Sequence, residues 1–148
     1  EFPPESFDSV PSEKELEIIA PLISERLKTL REAEEWIAFL YKNNISYSIE
    51  DLIQKNSDIQ LTNLFIEKAI NSLSELEKFQ ASFIEINLRE LISELEVKPG
   101  MFLGTIRMAT SGQIISPPLF ESLEILGREK TMNLLLQADR MVKQSINA

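Results

Sequence analysis

The chain has 148 residues, 43% of them hydrophobic, which suffices for one medium domain or two small helical subdomains that share a core. It contains no cysteine and no histidine, so disulfide frameworks, thiolate metal sites and histidine-centred catalysis are excluded. The net charge of −9 argues at first against a nucleic-acid partner, but it is uneven: residues 1–97 carry 9 Lys/Arg against 20 Asp/Glu, and residues 98–148 carry 6 against 4. Only the second part is electrostatically open to RNA.

Residues 1–11 hold three of the seven prolines and no helical stripe, and read as an extended leader or the remnant of an interdomain linker. The opening Glu1-Phe2, without Met, leads us to expect a piece of a longer protein. No apolar run reaches the ~20 residues of a membrane span, so a soluble, cytoplasmic chain is expected.

Ser12 with Glu15 forms a capping box for a short helix that Pro21 interrupts or restarts. From Ile23 through Leu27, Leu30, Ala33, Ile37 and Leu40 the apolar steps of three and four predict a long amphipathic helix to about Tyr41. Ser48 with Asp51 predicts a second capped helix, to about Gln54, and the polar break Lys55–Asp58 marks the boundary between a first subdomain (12–56) and a second (57–148).

Helices are then predicted over Leu61–Phe79 and Ser82–Glu96. Lys98-Pro99-Gly100 starts another that runs to about Thr110 and is closed by Gly112. Ser116-Pro117-Pro118 launches the next, which ends at Gly127, and a last helix carries Leu134, Leu135, Ala138, Met141 and Val142 on one face. No alternating strand pattern occurs, and the predicted class is all-α.

No glycine-rich phosphate loop, nucleophile elbow or zinc spacing is present, and glutamates such as Glu32, Glu34 and Glu35 read as solvated helix faces, so no catalytic or metal-binding residue is expected. Lys98 to Gly127 is more informative. With Phe102, Ile106 and Ala109 as the buried stripe, Arg107 lies about 100° around the helix, on the side of Gly100, Leu103 and Gly104. A glycine inside a helix costs about 1 kcal/mol relative to alanine, so Gly104 hints that something approaches the backbone closely there. Arg107 either stacks on or forks onto a splayed base, or simply pairs with a carboxylate. Ser116-Pro117-Pro118-Leu119 is either a rigid corner that grips a base or an ordinary helix start.

Taken together, the ordered set from Lys98 to Ala138 (Lys-x-Gly, Ile106-Arg107, Ala109, Thr110 to Gly112, Ser116-Pro117, Leu119-Phe120-Glu121 and Leu126-Gly127) resembles the C-terminal anticodon-binding region of bacterial-type glutamyl-tRNA synthetases. Glu25-Arg26-Leu27-Lys28-Thr29-Leu30-Arg31-Glu32 is similar to an upstream stretch of the same family. The resemblance implies two helical subdomains that form an α-helix cage around the anticodon loop of glutamate tRNA. Arg107 matches an arginine that contacts anticodon bases, Ser116, Pro117 and Leu119 the corner flanking the first base, Arg89 a second-base contact, and Arg26 a reader of the third base. Gly104, Ser111 and Pro118 depart from the family's usual choices.

The family's ATP-handling signatures, His-Ile-Gly-His-like and Lys-x-Ser-Lys-like, do not occur here. The resemblance therefore implies that ATP and magnesium belong to an N-terminal catalytic domain of the parent, which is itself a partner of this region. This chain would be an inactive, monomeric RNA-binding part that holds no cofactor. A class I lysyl-tRNA synthetase cage and an acidic all-α interaction module are the alternative readings.

Overall fold

A computed structural model describes residues 14, 17, 45–113 and 118–148. The expectations for the leader 1–11, the long helix from Ile23 to Tyr41 and the stretch Glu25–Glu32 lie outside the described residues, although Lys14 and Glu17 are both helical and exposed. From residue 45 onward the described residues form helices only, as predicted: α1 (Ile49–Leu52), α2 (Ile59–Ser74), α3 (Ala81–Leu95), α4 (Pro99–Ser111), α5 (Leu119–Leu126) and α6 (Arg128–Ile146).

Local chemistry accounts for most of the helix ends. The Ser48 N–H donates to Asp51 Oδ2 at 2.8 Å, which starts α1. A single turn is too short to persist alone. It is held by burial of Leu52, whose carbonyl accepts from Thr105 Oγ1 of α4 at 2.9 Å, so α1 shares the core of the helices that follow it. Asp58 caps α2 by accepting from the Leu61 N–H at 2.8 Å. Pro99 occupies the first turn of α4, where its missing N–H costs nothing. Gly112 ends that helix at φ 69°, and a Cβ there would sit 3.3 Å from the Ser46 carbonyl oxygen, so the turn demands glycine twice over.

The helix predicted to run from Leu61 to Phe79 starts two residues earlier, at the Asp58 cap, and stops at Ser74. The apolar step continues through Leu76 and Phe79, but these side chains pack on the core from a loop. Arg128 explains the departure: it donates to the Leu76 carbonyl, and its guanidinium lies 5.7 Å from the centre of the Phe79 ring.

Among the described residues α4 is the central helix and touches each of the other five from α1 to α6. Phe102, Ile106 and Ala109 are fully buried, as their spacing predicted, and Phe102 meets Phe65 of α2 with ring centroids 5.1 Å apart. α6 packs along α2 through Leu134, Leu135, Ala138 and Val142, while Met141 is only half-buried. Lys143 Nζ adds a bridge from α6 to α2, 2.6 Å from Asp139 and 3.0 Å from Glu67. Those hydrogen bonds, to Asp139 first, raise its pKa, but an exposed pair of this kind contributes little.

Two stability predictions arise here. The Ala81 N–H at the start of α3 donates to Glu124 Oε1 of α5 at 2.7 Å, which places a negative charge at the positive end of a helix. Glu124→Ala should cost about 1 kcal/mol in urea unfolding and speed amide exchange in the first turn of α3.

The Tyr47 hydroxyl is buried without a hydrogen-bond partner, and burial pushes its pKa from the usual 10.0 up to about 12. Between those two values the unfolded chain ionises while the folded one stays neutral, so stability should fall as pH rises through that window. Tyr47→Phe should flatten this slope in denaturation series at pH 9 to 12. At neutral pH it should leave stability unchanged or raise it by up to about 1 kcal/mol, because it removes an unsatisfied hydroxyl.

Candidate nucleic-acid interface

The packing of α4 leaves one line of the helix open. Thr105, Ile106, Met108, Ala109, Thr110 and Ser111 are buried against neighbours, whereas Gly100 is exposed and Leu103, Gly104 and Arg107 are half-buried. These four positions, at i, i+3, i+4 and i+7, share one face, so the structure brings Arg107 onto the stripe that its spacing indicated. Arg107 is partnered, and its carbonyl accepts from Ser111 Oγ at 2.6 Å. Ser111 Oγ in turn accepts from the Gln113 N–H at 3.1 Å, which ties the last turn of α4 to the segment leading toward α5.

The close approach at Gly104 has an intramolecular cause. A Cβ at this position would meet the side-chain amide of Gln54, with Cδ only 2.8 Å away. The glycine therefore makes room for Gln54: a group does approach the backbone closely there, and it belongs to this chain.

Ser116 and Pro117 lie outside the described residues. Pro118 precedes α5, and its carbonyl accepts from both the N–H and the hydroxyl of Ser122, at 3.1 and 2.8 Å. Leu119 is 4% exposed and belongs to the core, so a base contact through its side chain would require it to leave that core. Its place at the first turn of α5 leaves the backbone as the available contact. Arg26 also lies outside the described residues.

Arg89 is exposed on α3, with Nε 2.8 Å from Glu85 Oε2 and its guanidinium 5.6 Å from the centre of the Phe120 ring. Phe120 follows the Pro118 corner by two residues, so Arg89 is brought to the first turn of α5. The Glu85 carboxylate offsets the Arg89 charge and so weakens its attraction for phosphate. The sequence reading did not single out Gln54 beside Gly104, nor Glu85 and Phe120 beside Arg89. The i,i+4 spacing of Glu85 and Arg89 is the one signal that could have found any of them.

Among the described residues, no group of three or more acidic side chains could hold a metal ion, and no helix is long and apolar enough to cross a membrane. The described residues thus define the class by fold: an all-helical domain built around one central helix, α4, with Arg107 on its less buried face.

Comparison with known proteins narrows that class. A family model described as an anticodon binding domain matches residues 4–138. A glutamate–tRNA ligase of Dehalococcoides mccartyi (strain ATCC BAA-2266 / KCTC 15142 / 195) is 39% identical over 120 residues, covering 81% of this chain and 25% of that protein. The glutamate–tRNA ligase of Roseiflexus castenholzii is 38% identical over 117 residues, covering 79% of this chain and 23% of the relative. The crystal structure of a glutamate tRNA ligase from Elizabethkingia meningosepticum in complex with its amino acid superposes with a TM-score of 0.77 at 20% identity. That alignment covers 90% of this chain and 26% of the other, and it shows a shared fold. This chain belongs to the anticodon-binding-domain family. It spans about a quarter of the length of the relatives it matches.

Proposed function

We propose that this chain is the anticodon-reading part of a glutamate–tRNA ligase and that it binds the anticodon loop of glutamate tRNA. The observation that carries this reading is the similarity, at close to 40% identity, to proteins named glutamate–tRNA ligases over the same stretch that holds the open stripe of α4. In this reading Arg107 meets anticodon bases, and Arg89 with Phe120 forms a stacking surface beside the first turn of α5. Ser116, Pro117 and Arg26 contribute as the resemblance implies. Attachment of glutamate to the tRNA, with ATP and magnesium, falls to the catalytic domain of a longer, monomeric, cytoplasmic parent. This module adds discrimination, because only the correct anticodon recovers the cost of splaying its bases. Neither the lysyl-type cage nor the acidic interaction module is favoured by any observation here.

The test is a titration of labelled anticodon stem-loops carrying glutamate or lysine anticodons at low salt. Preference for the glutamate loop, falling as salt rises, is the expected result. Preference for the lysine loop would transfer the assignment to that class, and absence of binding to both would overturn it.

A further inference from the structure

The cleft between α1 and α4, beside the contact of Gln54 with Gly104, has been given no ligand so far. Its volume is about 260 Å³, and its lining includes Glu50, Asp51, Ile53, Gln54, Gly104 and Met108. That is just below the ~300–1,000 Å³ of sites for drug-sized molecules, the size for a single ring system. Ile53 and Met108 give it apolar walls, and Gly104, one turn from Arg107, opens its floor.

The polar lining is mostly of one kind. Gln54 Nε2 is turned inward, donating to the Asp51 and Leu52 carbonyls at 3.3 Å each. Gln54 Oε1 lies against Gly104, and among the described residues no donor reaches it. With the carboxylates of Glu50 and Asp51 beside it, the cleft offers acceptors and asks for a donor. Phosphate is repelled by the same groups. Lys55 is the one cation among the lining residues.

We propose that this cleft binds one amino-bearing base of the RNA loop, with the exocyclic amino group donating to Gln54 Oε1, and that Gln54 is a specificity-determining residue. Adenine, cytosine and guanine carry such a group and uracil does not. This inference rests on the anticodon-loop reading and adds a contact to it. Gln54 also closes the end of α1 through its two hydrogen bonds, so the test has to separate a base contact from a structural one.

The glutamate anticodon stem-loop is titrated against the wild-type chain, Gln54→Ala and Gly104→Ala. Each loop base is then exchanged in turn for the analogue lacking its amino group: purine for adenine, inosine for guanosine, 4-deaminated pyrimidinone for cytosine. With the wild type, one exchange should weaken binding about tenfold, the size of one good base-edge contact. Gln54→Ala should weaken binding of the unmodified loop by a similar factor and show no further loss with that analogue. Gly104→Ala, whose added methyl displaces the Gln54 amide, should weaken the same position even if Gln54→Ala fails to fold. Equal weakening at every position, or losses that multiply, would mean Gln54 acts only through structure and would overturn the site while leaving the anticodon reading intact. Failure of the wild type to bind any stem-loop would overturn the reading beneath it.

Discussion

Phe102→Ala should destabilise the domain by roughly 3–5 kcal/mol, the usual cost of emptying a buried phenylalanine site. Phe102 is fully buried on the helix that, among the described residues, touches the other five, and its ring contacts that of Phe65. The surroundings belong to several helices at once and cannot collapse into the cavity by shifting one of them. A loss of this size is a large part of the ~5–15 kcal/mol that holds a typical domain together. The midpoint temperature should drop by about 10 °C, and the urea midpoint should fall with an unchanged slope. Ile146→Ala, at the 39%-exposed end of α6, should change the midpoint little and serves as the control. A Phe102→Ala variant as stable as the wild type would show that α4 is not the centre of the core.

Arg107→Ala should weaken binding of the glutamate anticodon stem-loop about 10- to 100-fold, the range of one stacked or forked base contact. Because Arg107 sits on the open stripe and not among the buried residues of α4, unfolding free energy should change by less than about 1 kcal/mol. Arg107→Lys keeps the charge and loses the plane and the fork, so it should recover only a small part of the affinity. Isothermal titration with a parallel thermal melt reads both quantities. A large stability loss with unchanged affinity would assign Arg107 to the scaffold, and full rescue by lysine would reduce its role to phosphate attraction.

The sequence alone was enough to see the helical class, the central stripe of Phe102, Ile106 and Ala109, and most of the helix ends from Ser48 onward. These are short-range matters. A cap, a first-turn proline or a glycine at positive φ acts over three or four residues, and an apolar face repeats with the period of the helix itself. Placing Arg107 off the buried stripe needed only that period.

Other features depend on groups that are remote in the chain, and no local pattern encodes them. The cap of α3 comes from Glu124, 43 residues beyond Ala81, and the early end of α2 is held by Arg128, 52 residues beyond Leu76. Leu119 reads as a corner residue in the chain and is drawn into the core by the packing of α5. Gly104 shows the division most directly: its presence inside a helix was a visible cost, but which group occupies the space it leaves was decided by the fold, which lays Gln54 across it from 50 residues away. What repeats within a helical turn is written in the chain, and what one helix lends to another exists only once the helices have packed.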